Sequence, residues 1–331
     1  MINKIKEMTT VSVVMSVYKE PLEWLHESID SILYQTFKDF EFIIICDNPE
    51  YKEGIELLNE YRKQDDRIIV IYNEQNIGLT KSLNKGLEIA KGRYIARMDA
   101  DDVAMKNRLQ VQVDYMENNT DENMCHTDYY IIDECEVVVD RIKNEKEFKQ
   151  AWLFREDMIA HPTVMFRSEL LFMRKPLYNE DFKNAQDYEL WSFFTLNNVG
   201  IGYIPEKLLK YRVSGSQVSA KSKSSQLDNG RRIRRDLING FFIQRGVKLA
   251  TCDSILAVYK LVDNYEGKNN NEKEYIKQIK YVVAYSLALE KKWNSYKRII
   301  PLVFAHGYSF KNRLYLLLAP AFGNRWPLYE Y

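Results

Sequence analysis

The spacing of apolar and polar residues changes several times along the chain, and each change marks an element. Val11-Ser12-Val13-Val14-Met15-Ser16-Val17 is dense in β-branched residues and predicts a buried strand. Tyr18-Lys19-Glu20-Pro21 breaks it, and Leu22, Leu25, Ile29, Ile32 and Leu33 then recur at helical spacing. Phe40 to Cys46 predicts a second strand ending at Asp47, followed by a helix through Ile55, Leu57, Leu58 and Tyr61 and a third strand from Arg67 to Tyr72. After a turn-rich stretch from Asn73 to Gly78, the pattern Leu79, Ser82, Leu83, Gly86, Leu87, Ala90 predicts a helix whose small residues suit close packing. Gly92 closes that helix, and Tyr94-Ile95-Ala96-Arg97-Met98-Asp99 is a fourth strand running into acid.

Strand and helix alternating three times, then a strand, predict a mostly parallel sheet flanked by helices, an α/β fold. Ligands of such sheets bind at the carboxyl ends of the strands. Here those ends carry Tyr18-Lys19-Glu20, Asp47 and Asp99-Ala100-Asp101-Asp102, so the acids are expected to converge on one edge. Carboxylates crowded together repel one another, and where solvent is limited a hard divalent cation relieves them. The plainer alternative is a polar loop in which Asp102 caps a helix starting near Lys106.

Beyond Leu109, Val113 and Met116 the pattern is mixed. Met124–Asp133 and Val137–Val139 predict shorter strands, Ala151–Asp157 a helix, and His161–Arg167 a strand beginning at the histidine. Ala185 to Trp191 opens a helix, and Val199–Pro205 and Lys207–Arg212 predict two further strands. Ser214–Ser225, rich in serine, reads as a loop. From about Gln226 the character changes to long helices, beginning with a basic cluster at Arg231, Arg232, Arg234 and Arg235.

Lys plus Arg and Asp plus Glu both number 47, so no global field points to nucleic acid. Cys46, Cys125, Cys135 and Cys252 lie far apart, which argues against a zinc site or a disulfide framework and fits a reducing, cytoplasmic setting. Neither a GxxxxGK[ST] loop nor a GxGxxG turn follows the first strand, which argues against a P-loop NTPase and a dinucleotide-binding fold. A carboxylate pair at a strand end can instead hold magnesium or manganese against a diphosphate, making a nucleotide-linked substrate the expectation.

Taken in order, Val11 to Glu20, Asp47, Asn76-Ile77-Gly78-Leu79, Ala90 to Asp102, His161-Pro162-Thr163, Gln186-Asp187-Tyr188-Glu189-Leu190-Trp191 and Tyr211-Arg212 make the sequence resemble a family 2 glycosyltransferase. The resemblance covers roughly residues 10 to 220. It implies a GT-A fold over residues 1–220 and an inverting, metal-dependent enzyme of hexosyltransferase type; it says little beyond residue 220, where the residue pattern itself predicts a helical C-terminal extension over 221–331. A sugar would pass from a nucleotide-diphosphate donor to a hydroxyl of a glycan or lipid-linked oligosaccharide, as in bacterial surface polysaccharide synthesis.

Roles implied by the resemblance fall on matching positions. Asp187 is the general base, with a helix cap as its alternative. Tyr18, Glu20, Asp47 and Asp99 face the nucleotide, and Asp101 of the DxD motif is the ligand for Mn2+ or Mg2+. Arg97 approaches the diphosphate or is a solvated strand residue. His161 lines the acceptor side or is a structural histidine bonded to backbone. Many relatives carry a histidine two residues after the Tyr-Arg pair; here Ser214 stands there, so the metal would rest mainly on Asp101, diphosphate and water.

The apolar and basic tail around Leu314–Leu318 either packs on the α/β domain or, with the arginine cluster, meets the inner face of an anionic membrane. Two other functions compete: a sugar-phosphate nucleotidyltransferase, disfavoured because Tyr18-Lys19-Glu20-Pro21 is not a glycine-rich basic loop, and a non-catalytic glycan-binding relative, disfavoured by Asp99, Asp101 and Asp187 standing together.

Overall fold

The structure is a computed structural model that describes residues 9–133, 138–139, 159–214 and 223–244. The expected helix at Ala151–Asp157, most of the Ser214–Ser225 loop, and the tail helices lie outside the described residues. Two compact units divide the chain: Met1–Arg141 with Asp157–Ile233, and Ile142–Glu156 with Arg234–Tyr331.

In the first unit, β1 (Val11–Val17), α1 (Leu22–Leu33), β2 (Phe40–Cys46), α2 (Lys52–Gln64), β3 (Ile68–Tyr72), α3 (Leu79–Ile89) and β4 (Tyr94–Asp99) follow the expected alternation. They are succeeded by β5 (Val103–Ala104), α4 (Arg108–Asn118), β6 (Met124–Ile132), β7 (Val138–Val139), β8 (Met165–Arg167), α5 (Gln186–Leu196), β9 (Ile201–Arg212) and α6 (Lys223–Ile243), which runs on into the second unit. Among the described residues the strands form one sheet in the order β3-β2-β1-β4-β8-β6-β9-β5, with β7 on β6. The first four are mutually parallel, as the sequence predicts. Strand β8 runs antiparallel to both β4 and β6.

Strand alternation divides the core between the two faces. Val13, Met15, Val17, Phe42, Ile44, Ala96 and Met98 share a cluster with Leu25 and Ile29 of α1, Leu57 and Leu58 of α2, and Leu109, Val113 and Met116 of α4. Helix α3 covers the opposite face. A side chain on Gly86 would meet Ile45 and Val14 at 2.7 Å, so the small-residue face of α3 is what lets it lie so close to the sheet.

Two expectations need correction. Residues His161–Thr163 form a 3-10 turn, and the strand begins only at Met165. Pro162 explains this, because it fixes its own φ and has no N–H for a ladder. The two strands expected at Val199–Pro205 and Lys207–Arg212 are one, β9; its pairing with β6 slips at Thr127/Asp128 and Asp128/Tyr129, so Pro205 and Glu206 are absorbed as an irregularity. Among the described residues no helix is long and apolar enough to cross a membrane.

Candidate active site

The sheet order 3-2-1-4 places a topological switch between β1 and β4, where the chain leaves one side of β1 for the other. Ser16 pairs with Asp99 and Val17 with Cys46, so the acid-bearing ends of β1, β2 and β4 stand side by side. The expected convergence therefore holds in space.

Glu20 closes the first loop on itself: its Oε2 accepts the Tyr18 N–H at 2.8 Å, and the Tyr51 hydroxyl donates to its carbonyl. Burial, reinforced by Asp101 and Asp99, raises its pKa to about 7. Tyr18 itself is exposed, with the Lys19 ammonium 5.3 Å from its ring centre. Asp47 is buried, and its carboxylate accepts from Asn73 Nδ2 (2.8 Å), the Ile77 N–H (2.9 Å) and the Gly78 N–H (2.8 Å). Gly78 has φ +87°, a conformation that glycine adopts without penalty. Asp47 thus fixes the Asn73–Gly78 loop beside the edge.

Arg97 and Asp99 lie on the same face of β4 and form an ion pair. The guanidinium is only 2% exposed, which removes the solvated reading of Arg97, and its Nε and Nη1 have no hydrogen-bond partner among the described residues. They sit in a small cavity lined by Val14, Leu83, Phe166 and Tyr178, among others.

Asp101 and Asp102 belong to the tight link between β4 and β5. Asp102 does not cap a helix: α4 begins at Arg108, and β5 intervenes. Its buried carboxyl accepts the Arg212 N–H at 2.8 Å through Oδ1, while Oδ2 has no hydrogen-bond partner among the described residues. Burial first, then Asp101 and Asp99, push its pKa well above the usual carboxylate range. Arg212, at the end of β9, is the clasp of this loop. Its Nε donates to the Asp101 carbonyl (2.9 Å), its Nη2 to Glu27 Oε2 (2.6 Å), and its guanidinium lies 4.9 Å from the Trp24 ring centre. Two residues on, Ser214 is buried.

Asp187 sits in the first turn of α5 and is not its cap; Ala185 occupies that position and makes no side-chain capping bond. Asp187 Oδ1 accepts the Tyr188 N–H at 2.8 Å. Burial raises its pKa above the ordinary value, with Asp99 adding to the shift; backbone hydrogen bonds and Arg97 oppose it without prevailing. A helix amino terminus favours an ionised carboxylate, but here desolvation outweighs it. Asp187 and the β4 acids consequently share one electrostatic neighbourhood, with Arg97 acting on both.

His161 is structural in its contacts. Its Nε2 pairs with the Tyr178 hydroxyl at 2.7 Å, a side chain rather than the backbone group expected, and its ring meets Tyr178 and Trp191 edge-on. Burial holds its pKa well below the usual range, so the imidazole is neutral. Tyr178 is in turn fixed to α3, its N–H and carbonyl both bonded to the Asn84 side-chain amide (3.0 and 2.9 Å).

Among the described residues no group of three or more His, Cys, Asp and Glu is arranged as a metal cage. What the edge offers is a surplus of carboxylate, with the unpartnered Asp102 Oδ2 beneath it. Such a donor set suits a hard divalent cation that draws its remaining oxygens from a bound diphosphate and water. Sequence reasoning missed the Glu27–Arg212–Trp24 clasp. Glu27 reads as one more polar position on an amphipathic helix, and nothing local ties it to residue 212.

The sequence pattern of glycosyl transferase family 2 matches residues 12–175. An uncharacterized glycosyltransferase of Methanocaldococcus jannaschii, MJ1057, is 45% identical over 61% of this chain and 70% of its own length. The O-antigen biosynthesis glycosyltransferase WbnJ of Escherichia coli is 35% identical over 61% of this chain and 79% of its own. The crystal structure of S. aureus TarS 1-349 in complex with UDP-GlcNAc aligns with a TM-score of 0.60, covering 94% of this chain and 91% of that one at 16% identity, which shows a shared GT-A fold. On the sheet order, the site and these likenesses together, the chain belongs to the family 2 glycosyltransferases.

Proposed function

We propose that this protein is an inverting glycosyltransferase that moves a hexosyl unit from a nucleotide-diphosphate sugar to a hydroxyl of a glycan or lipid-linked oligosaccharide in surface polysaccharide synthesis. The observation that carries the reading is the grouping of Glu20, Asp99 and Asp101 at the β1/β4 switch point, within electrostatic reach of one another and, through Asp99, of Asp187. Residues 1–220 carry the chemistry in this reading, and 221–331, most of which lie outside the described residues, serve a partner or the inner face of the cell membrane. WbnJ, by its name, acts in O-antigen biosynthesis, and TarS has been solved with UDP-GlcNAc; both suit an acceptor and a donor of these classes.

Each residue then has a task. Tyr18, Glu20 and Asp47 border the nucleotide, and Asp99, oriented by Arg97, lies at the ribose and diphosphate. Asp101 would hold Mn2+ or Mg2+, which when bound supplies Lewis acidity toward the departing diphosphate. The Asp187 carboxylate takes the proton of the acceptor hydroxyl as its oxygen bonds to the anomeric carbon. The electron pair of the sugar–phosphate bond leaves with the nucleoside diphosphate, and configuration inverts.

A thermal-shift screen with UDP, GDP, UDP-GlcNAc, UDP-glucose, UDP-galactose and GDP-mannose, each with and without manganese, tests the donor class. A ligand at about 100 times its Kd adds ~2.7 kcal/mol, or several degrees in Tm. The expected result is stabilisation by one nucleotide series that grows with manganese. No stabilisation by any of them would contradict the reading.

A further inference from the structure

Helix α5 starts without a side-chain cap at its N-cap position. Its cap position, Ala185, contributes no side-chain bond, and the residue before it, Asn184, has φ +64°. An uncapped start preceded by a left-handed residue does not by itself fix where the first turn points. Something else must set the direction of Asp187, and the described contacts identify it.

That something is the first half of α6. Ser225, Asn229, Arg232 and Ile233 recur at intervals of four, seven and eight, one stripe of a helix. All four engage the segment that leads into α5. Asn229 Nδ2 donates to the Lys183 carbonyl at 2.7 Å. Asn184 Nδ2 donates to Ser225 Oγ at 3.3 Å. The Arg232 guanidinium lies 4.4 Å from the Phe182 ring centre. Ile233 is buried with Phe182, Ala185 and Tyr188, the last of these adjoining Asp187. Independent anchors hold the flanks: Asn84 grips Tyr178 upstream, and Arg174 forms a two-pronged ion pair with Glu189 downstream. Between those anchors, the turn from Phe182 to Tyr188 is braced by α6. The family pattern ends at residue 175, so it includes neither the turn nor its brace.

We propose that the first half of α6 is a clamp that positions the Asp187 carboxylate for proton abstraction, with Asn229 and Arg232 as its positioning residues. The inference rests on the reading of Asp187 as the base. Removing the clamp leaves the donor edge on β1, β2 and β4 untouched and lets the α5 start drift. A misplacement of about 1 Å in a reacting group costs on the order of 10²-fold in rate.

The test compares Asn229→Asp, which replaces a donor to the Lys183 carbonyl by an acceptor, and Arg232→Gln, at an exposed position, with Asp187→Asn. Nucleotide release is followed across UDP-GlcNAc, UDP-glucose, UDP-galactose and GDP-mannose with manganese and a glycan acceptor mixture. The expected result is a kcat about tenfold or more lower in both clamp variants, with donor KM within about twofold. Their Tm should fall by no more than about 4 °C, the scale of one lost hydrogen bond. Adding Asn229→Asp to Asp187→Asn should cost nothing further, because both act through one group. Unchanged kcat in the clamp variants, with Asp187→Asn inactive, overturns the clamp and leaves the base. Parallel losses of kcat, donor binding and stability also overturn it, showing a merely structural helix. Normal turnover by Asp187→Asn overturns the base reading and the clamp with it.

Discussion

Asp187→Asn is expected to lower kcat for sugar transfer by about 10²–10⁴-fold, the usual contribution of a positioned general base, while donor affinity changes by less than about twofold. The amide keeps the shape of the side chain and can still accept the Tyr188 N–H that the carboxylate accepts at 2.8 Å, so the first turn of α5 should stand. It cannot take a proton from a hydroxyl. The pH profile of the unaltered enzyme carries the same signature. Burial raises the Asp187 pKa, and the base works only when ionised, so kcat should rise with pH through a limb displaced upward from the ordinary Asp value of 3.8. Arg97 opposes that displacement, and its loss should move the limb further up. Steady-state kinetics of the variant, with calorimetric titration of the selected nucleotide sugar, separate the two quantities. Normal turnover in the variant would remove Asp187 from the mechanism.

Asp101→Ala is expected to abolish the manganese-dependent part of donor binding. Loss of an outer-shell partner of a metal alone commonly costs about 10–100-fold in affinity, and loss of the ligand itself should cost at least that. The effect should be large here because, among the described residues, no cage of three or more metal-binding side chains exists, and Ser214 stands where the resemblance implies a histidine. Arg212 Nε donates to the Asp101 carbonyl, a bond to the backbone that the substitution keeps, so the loop should keep its path. Calorimetry of UDP or GDP binding with and without manganese reads the difference. A variant that retains the full manganese effect would show that the metal, if used, rests elsewhere.

The parallel half of the fold was legible in the sequence because its strands are short apolar runs ended by acids or turns, each followed by a helical period. Strand β9 was harder to read, because Pro205 and Glu206 interrupt its pattern and only its pairing with β6 shows that the strand continues through them. The candidate site could be proposed from sequence where chemistry is concentrated in a few letters, at Asp99-Ala100-Asp101-Asp102 and at Gln186-Asp187. It was not legible where a role depends on distance in sequence. Asp102 looked like a cap for the helix that follows, yet its partner is Arg212, 110 residues away. Arg97 read equally as a group near the diphosphate or as a solvated strand residue, and only the fold, which buries it beside Asp99, removes the second. The brace supplied by α6 depends on Asn229 meeting a backbone carbonyl, which no pattern of side chains announces.

In the proposed reading the acids at the end of β4 divide their duties. Asp102 ties the loop to β9, Asp99 pairs with Arg97, and Asp101 is the proposed metal ligand. Together with Asp187 they predict a single displacement at the anomeric carbon, without a covalent glycosyl-enzyme. The most direct measurement of that claim is the proton NMR coupling at the anomeric centre of the product made from an α-linked nucleotide sugar. A β-linked product is the expected result. An α-linked product, with configuration retained, would contradict the account.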